Sequence, residues 1–191
     1  MFRFDQANVF VGHFVWELPG AHMQGPMKHV LGGWQSNGVL SLRSGFPFTP
    51  SQGGDLNTGS SARPDRLANG NLGNPSRALW FDTSAFQRAT CNIPSRPDLC
   101  HFGNAGVGII RDPGQRNLDF SLAKNFNVTE RAKLQFRSEF FNAFNTPYFG
   151  DPNNIGFSTI NSITPDQPRV GEIRSLRTSM RIVQFGLKLS F

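Results

Sequence analysis

The sequence predicts an all-β fold of about five antiparallel strands, each long enough to cross a membrane. Three observations carry this. Apolar and polar residues alternate with a period of two, the mark of a strand with one apolar and one polar face. The alternating stretches run to about ten residues, the length that spans a bilayer when tilted. The connections between them alternate short, long, short, long, as in a membrane barrel with tight turns on one side and large loops on the other.

The first strand is expected at about 8–18, where Phe10, Phe14, Trp16 and Leu18 oppose Val11, His13, Val15 and Glu17. Its alternation is the weakest of the set. A connection of roughly ten residues through Pro19-Gly20-Ala21 and Gly25-Pro26 leads to the second strand, 33–44. There Trp34, Leu40 and Leu42 share a face with Ser36 and Gly38, opposite Gln35, Asn37, Ser41 and Arg43. A long loop, 46–115, precedes the third strand, 116–126, where Leu118, Phe120 and Leu122 oppose Asn117, Asp119 and Ser121. A tight turn at Asn127-Val128-Thr129-Glu130 leads to the fourth, 132–144, where Leu134, Phe136 and Phe140 oppose Gln135, Arg137 and Glu139. A second long loop, 146–180, precedes the fifth, 181–191, with Val183, Phe185, Leu187, Leu189 and Phe191 on one face and Gln184, Gly186, Lys188 and Ser190 on the other.

Composition agrees. The 191 residues carry 19 Lys and Arg against 13 Asp and Glu, a net charge of +6, yet charged residues are only 17% of the chain, below the roughly 25% of an ordinary soluble domain. Phe numbers 19 and Tyr 1, while Gly at 20 and Pro at 13 supply turns. No run reaches the roughly 18 apolar residues of a membrane helix. The opening Met1-Phe2-Arg3-Phe4-Asp5 lacks a basic region followed by an apolar core, so no signal peptide is expected. A soluble β-sandwich fits the period equally well. The alternation of loop lengths and the terminal aromatic favour the barrel, in which the apolar face meets lipid and the polar face lines a wet lumen.

Several segments together resemble the C-terminal part of the β-barrel of TonB-dependent outer-membrane receptors, in particular the Oar-like subfamily. They are Gly33-Trp34-Gln35, Ser44-Gly45-Phe46-Pro47-Phe48, Trp80-Phe81-Asp82-Thr83-Ser84-Ala85-Phe86, Phe102-Gly103-Asn104-Ala105-Gly106, the run from Pro113 to Phe126, the run from Leu134 to Asn145, and the terminal Gln184 to Phe191. Their order and spacing match over essentially the whole chain. Asp112, where the family usually shows a glycine, is a departure confined to a loop. The resemblance implies that 1–191 is the C-terminal segment of a larger outer-membrane barrel with long extracellular loops, located in the cell outer membrane. It implies solute uptake driven by a TonB-type energy-coupling protein, and a plug and further strands upstream in a longer product. It also implies that Phe191 belongs to the signal read by the barrel-assembly machinery. A structural or adhesive outer-membrane protein is the alternative.

Site expectations follow. Leu118, Phe120, Leu122, Leu134, Phe136, Phe140, Val183, Phe185, Leu187 and Leu189 are expected to face outer-membrane lipid. Asp119, Gln135, Arg137, Glu139 and Lys188 are expected to face the lumen, with Asp119, Arg137 and Glu139 forming an ion-pair ladder across strands. Cys91 and Cys100 are candidates for a disulfide in an oxidising setting, which would stabilise the loop by about 2–3 kcal/mol. No metal site is expected: Cys91, Cys100 and His101 lack a fourth ligand at zinc spacing, and His22, Met23, Met27 and His29 read as a turn. No cofactor is expected. Gly103, Gly106 and Gly108 are not a dinucleotide fingerprint. The absence of G-x-S-x-G, H-E-x-x-H and phosphate-loop motifs, with His13, His22, His29 and His101 scattered, argues against an enzyme. The basic residues form no run: between Phe46 and Gln115 six Arg face five Asp, so no nucleic-acid partner is expected.

Overall fold

The structure, a computed structural model, describes residues 5–20, 25–55, 61–89, 101–149, 170–173, 176 and 179–191. In chain order its strands are β1 (Val9–Glu17), β2 (Trp34–Arg43), β3 (Pro47–Phe48), β4 (Gln52–Asp55), β5 (Ser61–Ala62), β6 (Asp65–Arg66), β7 (Phe86–Gln87), β8 (Ile110–Arg111), β9 (Gln115–Asn127), β10 (Lys133–Phe141) and β11 (Ile182–Ser190). A one-turn helix, α1 (Met27–Leu31), lies between β1 and β2, and a 3-10 turn spans Thr83–Ala85. The chain divides into two compact units.

The first unit is a five-stranded antiparallel sheet in the order β1-β2-β9-β10-β11. Its pairing is continuous and without bulges, from Val9↔Arg43 to Glu17↔Gln35 between β1 and β2 and from Lys133↔Ser190 to Phe141↔Ile182 between β10 and β11. Because the side-chain period is two, this register decides which residues share a face. One face collects Phe14, Gly38, Phe120, Phe140 and Val183 in a single row across all five strands. Phe120 and Phe140 pack in a tilted pair across β9 and β10, with ring centroids 6.2 Å apart. Gly38 makes room for its neighbour, since a Cβ there would lie 2.4 Å from the Phe14 ring.

The observed strands fall within one to three residues of the expected ones. The largest difference is the end of the fourth strand, expected at 144 and observed at Phe141. Asn142 and Asn145 adopt left-handed conformations, φ 51° and 52°, which Asn tolerates better than most residues. The Asn142 amide then closes the turn. Its Oδ1 accepts from the Thr146 N–H at 2.8 Å, and its Nδ2 donates to the Thr146 carbonyl at 3.0 Å. Replacing Asn142 with Ala removes both bonds and leaves a Cβ residue in the left-handed region, a combined cost of about 1–3 kcal/mol. Asn142→Gly, which loses the bonds but not the conformation, is expected to be milder. Urea midpoints of the folded protein in vesicles check this, and an Asn142→Gly no better than Asn142→Ala would contradict it.

The second unit draws on the two long connections. The expected loops 46–115 and 146–180 are not plain loops over their described residues. Phe48, Phe81, Ala85, Phe86, Ala105, Ile110 and Ile173 form a buried apolar cluster. Phe81 is its centre, fully buried, with ring centroids 6.1 Å from Phe48 and 5.8 Å from Phe86. Asp82 starts the 3-10 turn by accepting the Ser84 N–H at 3.0 Å, which aims Phe81 and Phe86 at one core. Buried Gln52 imitates a strand partner: its Nε2 donates to the Ala89 carbonyl at 2.9 Å and its Oε1 accepts the Ala89 N–H at 2.8 Å. Arg111 ties Asp5 at 3.0 Å to this unit and also donates to the Gly45 carbonyl at 3.2 Å. Asp112, the departure noted above, gives its N–H to the Phe46 carbonyl.

Candidate functional site

The sheet presents two chemically opposite faces, and all ten residues expected to face lipid share one of them. By register Leu134, Phe136 and Phe140 of β10 pair with Leu189, Leu187 and Val183 of β11. Leu118, Phe120 and Leu122 of β9 continue the same face, and Phe185 falls opposite Ser138. Ser138 does not break its apolar character, because its Oγ donates to the Leu122 carbonyl at 3.2 Å. No second sheet covers this face among the described residues: Phe10, Trp16, Phe185 and Leu187 are each more than half exposed. In water such a surface would be costly at roughly 25 cal/mol per Å². Against acyl chains it costs nothing.

Two basic residues bracket the apolar stripe on β9. Arg116 precedes Leu118, Phe120 and Leu122, and Lys124 follows them. Eight residues of strand span roughly 27 Å, or about 21 Å along the membrane normal at a tilt near 40°. That approaches the apolar band of about 25 Å found on outer-membrane barrels. Lys124 was not among the expected site residues. Its side chain is almost wholly buried at 3% exposure, with Nζ donating to the carbonyls of Val30 at 2.6 Å and Gly32 at 2.8 Å. The ammonium also sits over the rings of Trp34 at 4.9 Å and Phe126 at 5.3 Å, a cation–π pair on each side. The available signal was a lysine on the apolar parity, followed two residues later by Phe126.

The opposite face carries Asp119, Gln135, Arg137, Glu139 and Lys188. Their pairing differs from the expected cross-strand ladder. Arg137 lies opposite Ala123 on one side and Gly186 on the other, so no carboxylate flanks it across the sheet. It turns along its own strand instead, 3.5 Å from Glu139 Oε1 and 3.3 Å from Gln135 Oε1. The cross-strand links are neutral donors: Gln184 Nε2 donates to Glu139 Oε2 at 3.2 Å, and Gln135 Nε2 to Asn125 Oδ1 at 2.8 Å. Asp119 is not in this network. Its Oδ1 accepts the Asn142 N–H at 2.9 Å, which supports the turn after β10.

The small residues beside Arg137 leave an open hollow of about 320 Å³, lined by Gln135, Arg137, Glu139, Gln184, Gly186, Leu187 and Lys188. It offers two cations, a carboxylate and two amides on a rigid strand scaffold. Because Arg137 is 48% exposed and its contact with Glu139 is long, the ion pair is worth under about 1 kcal/mol. Glu139→Gln is therefore expected to leave the urea midpoint nearly unchanged. A loss above about 2 kcal/mol would restore the ladder reading.

The remaining expectations divide. Cys91, Cys100, His22 and Met23 lie outside the described residues. Met27 and His29 fall in α1, and no cluster of three metal-capable side chains occurs among the described residues. Phe191 follows β11 and is 99% exposed. Among the described residues no helix is long and apolar enough to cross a membrane.

No curated protein and no solved structure matches the chain. A family model does: that of the outer membrane beta barrel domain covers residues 2–184. This agrees with the two-faced antiparallel sheet, and it removes the soluble-sandwich alternative. The chain belongs to the outer membrane beta barrel domain family, and its place is the cell outer membrane.

Proposed function

We propose that the chain is the C-terminal barrel segment of a TonB-dependent, Oar-like receptor that takes up a solute across the outer membrane. The observation that carries the reading is the ordered set of seven segments resembling that subfamily, from Gly33-Trp34-Gln35 to the terminal Phe191. The open sheet is consistent with it. Among the described residues β1 pairs only with β2 and β11 only with β10, and lipid-exposed strand edges need partners. Further strands and a plug of the same product would supply them and contact the polar face. The energy-coupling protein would act through that plug. The barrel-assembly machinery would read Phe191. The reading assigns no catalytic role and no cofactor to these residues.

The test uses the full-length gene product in its native cells. Solute uptake that stops when the energy-coupling protein is depleted, with the barrel still present in the outer membrane, is the expected result. A full-length product with no plug domain would overturn the receptor reading and favour the structural or adhesive one. Arg137→Ala is expected to lower uptake at least several-fold while leaving the folded fraction unchanged.

A further inference from the structure

Helix α1 has an apolar side that no described residue covers. Met27, Val30 and Leu31 stand at i, i+3 and i+4, one face of a helical turn. They are 59%, 64% and 41% exposed. Lys28 and His29 occupy the other side. We propose that α1 is an interfacial anchor, with Met27, Val30 and Leu31 seated among phospholipids of the periplasmic leaflet and Lys28 turned toward their phosphates.

Three observations support this occupant. First, the helix is tied to the lipid side of the wall. Trp34 and Lys124 both project from the apolar face, where they are paired across β2 and β9. Trp34 Nε1 donates to the Val30 carbonyl at 2.8 Å, and Lys124 Nζ takes the same carbonyl and that of Gly32. A cation at the C-terminal end of a helix also complements its dipole. Second, the tether cannot shift far. Gly33 sits at φ +73°, and a Cβ there would lie 2.6 Å from the Asn125 carbonyl oxygen. Third, those bonds hold α1 at the end of the sheet where Trp34, Lys124 and Phe126 close the apolar stripe. The short turns of such barrels lie at the periplasmic side. An apolar stripe backed by Lys is the pattern of a helix that lies in an interface plane. Lys124 of β9 spends two of its three donors on the turn, and Lys28 is the lysine that α1 itself brings to anionic headgroups.

The proposal rests on the barrel-wall reading, so its test must separate the two. The full-length protein is reconstituted into phosphatidylethanolamine–phosphatidylglycerol vesicles, in a Cys91→Ser, Cys100→Ser background. An environment-sensitive fluorophore is attached at Val30→Cys, Lys28→Cys or Leu118→Cys, and folding is confirmed by heat-modifiable gel migration. Lipids bearing a nitroxide at acyl carbon 5 or carbon 12 report depth, and iodide reports water. The Val30 probe is expected to be quenched at least twofold more by the shallow nitroxide than by the deep one, and little by iodide. The Lys28 probe is expected to respond to iodide, and the Leu118 probe to the deep nitroxide. A Val30 probe as open to iodide as the Lys28 probe, with Leu118 still quenched by lipid, overturns the anchor and leaves the wall intact. A Leu118 probe unquenched by either lipid overturns the wall itself. Met27→Cys serves in place of Val30→Cys if the latter fails to fold. Adding Lys124→Met is expected to move the Val30 probe from lipid toward iodide quenching, and no movement would remove Lys124 from its tethering role.

Discussion

Arginine in place of Phe120 is expected to destabilise the folded protein in vesicles by about 2–4 kcal/mol, the cost of a cation on the lipid face at the bilayer midplane. Phe120 lies in the row of Phe14, Gly38, Phe140 and Val183. It is four residues from both Arg116 and Lys124, the two charges that bracket the stripe. The same substitution at Phe136 or Leu187 is expected to cost only about 0–1 kcal/mol. Those residues pair with each other and share their row with Lys124, close to the rim, where a long side chain reaches headgroups. The measurement is a set of urea midpoints at constant slope. Equal losses at Phe120 and Leu187 would refute the depth assignment. No loss at Phe120 would refute the face itself.

The parity of each strand was legible because it needs only a period of two, and a residue on the wrong parity is costly in lipid. Phe120 and Leu187 could thus be grouped on one face from sequence alone. Their depth could not. Depth depends on register, which is set by the turns at Val128–Ala132 and Asn142–Asn145 and by hydrogen bonds that close only in three dimensions. The pairing of Arg137 was hidden for the same reason. It depends on Ala123 and Gly186 being its lateral neighbours, and neither is near it in sequence. Asp119 has the polar parity, yet its carboxylate serves the backbone of Asn142. Lys124 has the apolar parity, and nothing near it in sequence shows what would receive its charge. Only the fold shows the Val30 and Gly32 carbonyls that receive it.

The long loops show the opposite limit. A strand of two residues, such as β3 or β8, has no period to detect. The core it helps build joins Phe48, Phe81, Ile110 and Ile173, which are dozens of residues apart. What the sequence did contain was the local device: Asp82 followed by Ser84 at the start of a 3-10 turn, with aromatics on both sides. Several phenylalanines of this chain therefore belong to a loop core rather than to the apolar stripe of the sheet.

The second large effect is expected at Phe81. It is fully buried and contacts both Phe48 and Phe86, so truncation to Ala removes the centre of the cluster and leaves a cavity. Such changes cost about 3–5 kcal/mol, which corresponds to roughly a hundred- to several-thousand-fold rise in the opened population of that unit. Trp80 tests the specificity of the effect. It packs at the margin of the cluster, and Trp80→Phe keeps an aromatic ring there while losing the Nε1 bond to the Arg111 carbonyl at 2.7 Å, so it should cost only about 1–2 kcal/mol. Amide hydrogen exchange resolved by segment is the suitable readout. Phe81→Ala is expected to speed exchange in the described parts of 44–114 while β9, β10 and β11 keep their protection. The two units have separate apolar groups, a buried cluster in one and the apolar stripe of the sheet in the other, so damage to the cluster leaves the sheet its own source of stability. Uniform loss of protection across the sheet would show that the strands depend on the loop core, and that the two units fold as one.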